Sequence, residues 1–142
     1  MKNKILANIL AAILLISVAL LALNINSILK KPLNTDVPLA VVSSWSMEPI
    51  FHVGDMIIVK GYRNYNIGDI VVYQDRFVKS KLIVHRIINI RNTSYITKGD
   101  ANYNPDSYPV KKNQIKGKVI LVIPYLGTIK LFLERIYLVL RG

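Results

Sequence analysis

No cysteine occurs in this chain of 142 residues, and its 8 Asp and Glu are outnumbered by 19 Lys and Arg. Without thiols there is no disulfide framework, no thiolate nucleophile and no cysteine-ligated metal, so covalent chemistry must come from another side chain. Long charged stretches are missing too. The formal net charge of +11 is spread along the chain, with short pairs at Lys30-Lys31 and Lys111-Lys112 and no run that resembles a basic arm or recognition helix. Nucleic acid is therefore not an expected partner, although clustered Lys and Arg would suit phosphates. Beside a bilayer the same charge attracts anionic lipid head groups, at about 1 kcal/mol for each close Lys or Arg.

Between Ile5 and Leu29 there is no charged residue at all. At about 1.5 Å per residue a helix of this length reaches roughly 37 Å, beyond the roughly 30 Å hydrocarbon core. A cleaved signal peptide is the competing reading, since Lys2 and Lys4 precede the run and Ser17 and Ala19 offer small residues. The run exceeds a normal signal-peptide core, so an uncleaved anchor is expected. Lys2, Lys4 and the α-amino group at one end balance Lys30 and Lys31 at the other, and flanking charge does not decide orientation. Roughly a hundred residues remain outside the anchor, enough for one small core and too few for a multidomain enzyme.

The remainder divides into a linker over 31–36, a β domain over 37–126 and an amphipathic segment over 127–142, after an anchor over 1–30. β-branched runs at Leu39 to Val42, Met56 to Lys60, Ile70 to Tyr73, Leu82 to Ile90 and Lys118 to Ile123 predict strands. Gly54, Gly61, Gly68, Gly99 and Gly117 mark the breaks between them. The fold class expected is mainly β, a small antiparallel domain with one N-terminal transmembrane helix and a C-terminal amphipathic helix. Lys130, Glu134, Arg135 and Arg141 argue against a second span. That last helix either lies in the membrane interface or closes the core.

Ser43, Ser44 and Ser46 crowd the exit of the first strand, ahead of Pro49. A serine held there can present its hydroxyl, with its own amide aimed at a developing oxyanion, but serine-rich turns are also common structural features. A serine nucleophile needs a base, and the chain has 2 histidines. His52 sits beside Gly54 in a turn and reads as a surface residue. Strand alternation puts His85 with Ile83, Ile87 and Asn89 on one face, where an imidazole can accept a proton. A third group that orients the imidazole would come from the loop holding Asp100 and Asp106.

Together these residues resemble the type I signal peptidases. Ser44-Trp45-Ser46-Met47-Glu48-Pro49 is similar to that family's S-x-S-M-x-P box, and the likeness continues in order through Val53-Gly54-Asp55, Gly68-Asp69-Ile70-Val71, Val84-His85-Arg86 and Lys98-Gly99-Asp100. Histidine at the fourth box, where bacterial members carry lysine, selects the archaeal and endoplasmic-reticulum type. The resemblance implies Ser46 as nucleophile, His85 as general base, and Asp106 in preference to Asp100 as orienter, with Asp100 supporting the site. It implies the Ser46 amide and Ser44 hydroxyl as oxyanion donors, and Trp45, Met47 and Pro49 along the substrate cleft.

No metal or other cofactor is required by such chemistry. The implied partners are signal-peptide-bearing preproteins and membrane lipids, and the residues specify no accessory subunit. The implied location is a single-pass protein of the cell or endoplasmic-reticulum membrane, with its catalytic domain on the exported side. Trp45 and Ala101 depart from the family pattern without removing a catalytic group. Two other readings make different demands. A self-cleaving repressor-type peptidase predicts a Ser-Lys pair and a DNA-binding domain, and a noncatalytic membrane-tethered basic adaptor predicts an inert Ser46.

Overall fold

A computed structural model describes residues 2–141; Met1 and Gly142 lie outside the described residues, and only the backbone is described for Lys2 and Asn3. The extreme limits of the anchor and of the C-terminal segment, and the α-amino group, thus fall outside. Helix α1 spans Lys2–Leu33. It is, among the described residues, the one helix long and apolar enough to cross a membrane.

This helix runs into the stretch expected to be a linker. Pro32 lies in its last turn without ending it. Termination comes at Asn34, whose φ of 50° is tolerated by a short polar side chain. There the Asn34 amide donates to the Lys31 carbonyl and the Thr35 amide to that of Lys30, the paired bonds of a Schellman cap. The next residues are fastened to the β domain. Thr35 Oγ1 donates to the Lys116 carbonyl at 2.6 Å, and the Gly61 amide to that of Leu33 at 2.8 Å.

Seven strands form one antiparallel sheet. They are β1 (Leu39–Val41), β2 (Met56–Lys60), β3 (Ile70–Gln74), β4 (Leu82–Arg91), β5 (Ser94–Lys98), β6 (Val110–Lys111) and β7 (Ile115–Ile123), in the spatial order β1-β2-β7-β3-β4-β5-β6. Two strands were not expected. In β5 the buried positions are Tyr95 and Thr97, between polar or half-buried residues, so the run lacks an apolar signature; β6 is only 2 residues long. Gly117, expected as a break, instead lies inside β7 where the pairing register shifts. A shift between Ile87 and Asn89 likewise ends the alternation expected along β4, leaving Ile88 and Ile90 exposed.

Adjacent Val71 and Val72 in β3 are both fully buried because they face opposite sides of the sheet. Val72 belongs to a cluster with Val42, Met47, Phe51, Ile57 and Val59. Val71 belongs to another with Tyr65, Tyr73, Ile87, Tyr95 and Val110. Helix α2 (Thr128–Arg141) contributes no buried residue, which removes the reading in which it closes the core. Ile129, Phe132, Leu133, Ile136, Val139 and Leu140 on it are all exposed. At 100° per residue they share one face, with Lys130, Glu134 and Arg141 opposite.

Candidate active site

Ser46 lies in a single 3₁₀ turn, Trp45–Met47, that follows β1. Its neighbours set its direction. Met47 is 1% exposed and packs into the first core cluster, whereas Trp45 is 71% exposed. Met47 was expected along the substrate cleft; burial makes it instead the peg that holds the turn, because the amides of Ile50 and Phe51 both donate to its carbonyl. Pro49 remains on the surface. Further along, Asp55 is buried and accepts the His52 amide at 2.8 Å and the Tyr125 amide at 3.1 Å, tying the loop after the turn to the segment that follows β7. His52 itself is half exposed and lies 3.4 Å from Glu48.

His85 stands in the middle of β4, 7% exposed. Its Nε2 is 3.2 Å from Ser46 Oγ, and its Nδ1 is 2.7 Å from Asp106 Oδ2. An ionised carboxylate only accepts, so Nδ1 carries the proton and Nε2 presents a lone pair to the Ser46 hydroxyl. Ser44 Oγ lies 3.3 Å from Ser46 Oγ.

Asp106 reaches the histidine because its amide donates to the Thr97 carbonyl at 2.8 Å, tying the loop to β5. Its Oδ2 also accepts the hydroxyls of Tyr73, at 2.8 Å, and Thr97, at 2.5 Å. Burial opposes ionisation of this carboxyl, but the hydrogen bonds from His85, Thr97 and Tyr73 together outweigh it and hold the pKa below the ordinary value. Asp100 takes a different place. It forms a two-pronged pair with Arg86, to Nε at 2.9 Å and Nη2 at 2.6 Å, and does not touch His85. Counting Asp100 among groups that contact the reacting atoms is thereby corrected, since the pair with Arg86 ties the loop to β4. Lys79 and Lys81, possible bases in a Ser-Lys site, are exposed in the β3–β4 turn.

Tyr73 and Thr97 were not singled out from the sequence. In the sheet, Val71 pairs with His85, Tyr73 with Ile83, and Thr97 with Ile87. Paired residues share a face, so Tyr73 and Thr97 flank His85 diagonally from the strands on either side. No local motif announces such a relation.

The same loop also meets Ser46 directly: the Ala101 amide donates to the Ser46 carbonyl at 2.9 Å. A Cβ on Gly99 would come within 2.5 Å of that carbonyl and 2.7 Å of Asn102 Nδ2. Gly99→Ala is therefore expected to push the loop off the Ser46 turn and to lower kcat by about 10–100-fold while the protein stays folded, measured as preprotein cleavage beside a melting curve. Unchanged kcat would show that the approach is not needed.

Hydroxyl, imidazole and carboxylate in line on an antiparallel β scaffold are the arrangement of a serine peptidase with a histidine base. The family model for Peptidase S24-like proteins matches residues 21–120. The signal peptidase complex catalytic subunit SEC11 of Lodderomyces elongisporus is 34% identical over 114 residues, covering 71% of this chain and 68% of that protein. SEC11 of Fusarium vanettenii is 34% identical over 113 residues, covering 68% of this chain and 64% of that protein. Human SEC11C is 30% identical over 114 residues, covering 70% of this chain, which spans only 59% of the human protein's length. The chain belongs to the peptidase S24-like family, in its branch of type I signal peptidases of the archaeal and endoplasmic-reticulum type.

Proposed function

We propose that this protein is a membrane-bound serine endopeptidase that removes signal peptides from exported preproteins, with Ser46 as nucleophile, His85 as general base and Asp106 as the group that orients it. The observation that carries the reading is the continuous path from Ser46 Oγ to His85 Nε2 at 3.2 Å and from Nδ1 to Asp106 at 2.7 Å. Ser46 Oγ attacks the scissile carbonyl as His85 takes its proton. The same proton then goes to the leaving amine, and water activated by His85 hydrolyses the acyl-enzyme. The Ser46 amide and the Ser44 hydroxyl stabilise the oxyanion.

The sheet supports an extended substrate. β5 pairs with β4 only from Arg86 onward, so the edge of Leu82 to Val84 that faces away from β3 has no strand partner. A peptide added there places its scissile bond beside His85. Anchoring the enzyme in the same bilayer as the substrate's apolar segment raises effective concentration and fixes the height of cleavage, and the resemblance to the signal peptidases implies that the β domain faces the exported side.

An acylating serine probe applied to the full-length protein in detergent tests this reading. Stoichiometric labelling of the wild type at Ser46, with none in Ser46→Ala, is expected. An inert Ser46 would favour a noncatalytic tethered domain.

A further inference from the structure

We propose that Tyr73 is a positioning residue for the cleavage reaction, its hydroxyl holding Asp106 in the orientation that serves His85; this rests on the assignment of Ser46, His85 and Asp106 above. The hydroxyl lies 2.8 Å from Asp106 Oδ2, 3.4 Å from His85 Nδ1 and 3.5 Å from Thr97 Oγ1. Its one proton has a single good acceptor. Nδ1 already directs its own proton to Asp106, and Thr97 donates to the same oxygen at 2.5 Å, so the tyrosine proton also goes to Oδ2. Burial pushes the Tyr73 pKa above its ordinary value, which keeps the hydroxyl a donor.

A carboxyl group turns easily about its last torsion, where the preference is broad and two-fold. Here three donors from three elements converge on one oxygen: Tyr73 from β3, His85 from β4 and Thr97 from β5. The alternative is close by. A cavity of about 630 Å³, lined by Tyr73, Ile83, Ala101 and Asp106 among others, adjoins this residue and leaves the carboxyl room to turn if its donors are lost. The Tyr73 ring, packed edge-on to the imidazole with centroids 6.3 Å apart, also limits rotation of His85. Tyr73 thus fixes two partners at once.

A second consequence is electrostatic. A carboxylate that shares its charge with a tyrosine hydroxyl offers less to an imidazolium. The other ionisable groups nearby are Asp75, at the end of β3, and the Arg86–Asp100 pair beside His85 on β4. Asp75 is held by the amides of Phe77 and Val78, and Arg86 and Asp100 engage each other. Removing the Tyr73 hydroxyl therefore leaves Asp106 as the group whose interaction with His85 changes.

Tyr73→Phe keeps the buried ring. Full-length protein in detergent, assayed on one preprotein, is expected to lose about tenfold in kcat with KM changed less than about twofold. The acid limb of its pH–rate profile should move up by about half a unit. Fluorotyrosine at position 73, a stronger donor, should retain near wild-type kcat at the optimum and move the limb the opposite way. In an Asp106→Asn background Tyr73→Phe should add no loss, because its effect passes through the carboxylate. Wild-type kcat and pH profile in Tyr73→Phe, or an equal loss in both backgrounds, would overturn the proposal. Full activity of Asp106→Asn would instead overturn the underlying assignment, so the two failures are distinct.

Discussion

A Ser46→Ala variant is expected to stay folded and membrane-bound while preprotein cleavage falls by roughly 10⁵-fold or more. The size follows from what the hydroxyl does. In the proposed mechanism Ser46 Oγ forms the bond to the acyl group; Ser44 Oγ lies 3.3 Å from it, and it is Ser46 Oγ that reaches the imidazole, at 3.2 Å. The structural cost is small. The lost side chain makes hydrogen bonds only to Ser44 and His85, and the turn is held by Met47 in the core and by the Ala101 amide on the Ser46 carbonyl, which alanine keeps. A stability change within about 1 kcal/mol is expected. Processing of one purified preprotein, with thermal denaturation in the same detergent, measures both quantities, and retained cleavage would refute Ser46 as nucleophile.

His85→Ala and Asp106→Asn are expected to produce the next largest losses, of about 10⁴–10⁶-fold and about 10³–10⁴-fold in kcat. In the proposed mechanism the histidine moves the proton in both half-reactions, while the aspartate fixes its tautomer and stabilises the imidazolium, so an amide in its place would misdirect the ring without deleting the base. Lys79→Ala and Lys81→Ala should remain active, since both lysines belong to the turn beyond β3; the reverse pattern would point to a lysine base. Asp100→Asn should weaken the pairing with Arg86 and leave most chemistry intact, and full activity of Asp106→Asn would refute the choice of orienter.

Asp106 also links stability to pH. Its folded-state pKa is depressed, so its contribution is complete above the ordinary carboxylate value and is lost as pH falls through the lowered one. Melting temperature followed downward from about pH 5 should therefore drop more steeply in the wild type than in Asp106→Asn.

Much of the site was legible as local pattern. The turn that holds Ser46 carries its own grammar of small hydroxyl residues before a proline, and His85 falls on a strand whose alternation points it inward. The end of α1 was legible in principle: Asn34 at a helix C-terminus is a stop signal, but proline two residues earlier drew the boundary too soon. β5 was missed for a plainer reason. Its buried residues are a tyrosine and a threonine, and the threonine is spent on Asp106 instead of on apolar packing.

The sequence by itself determined an N-terminal stretch long and apolar enough to cross a membrane, the loss of every thiol chemistry, and the order in which serine, histidine and aspartate arrive along the chain. Those are properties of composition and neighbouring residues. Only the tertiary structure decided that Asp100 pairs with Arg86, that Met47 is a core peg, and that Tyr73 and Thr97 complete the surroundings of the Asp106 carboxylate. The surroundings of the carboxylate depend on the register by which β3, β4 and β5 lie side by side, and on the amide bond from Asp106 to Thr97 that folds the loop back, whereas Met47 is fixed by packing against Val42, Phe51, Ile57, Val59 and Val72. Diagonal neighbours across a sheet are distant in sequence, so no local signal records them.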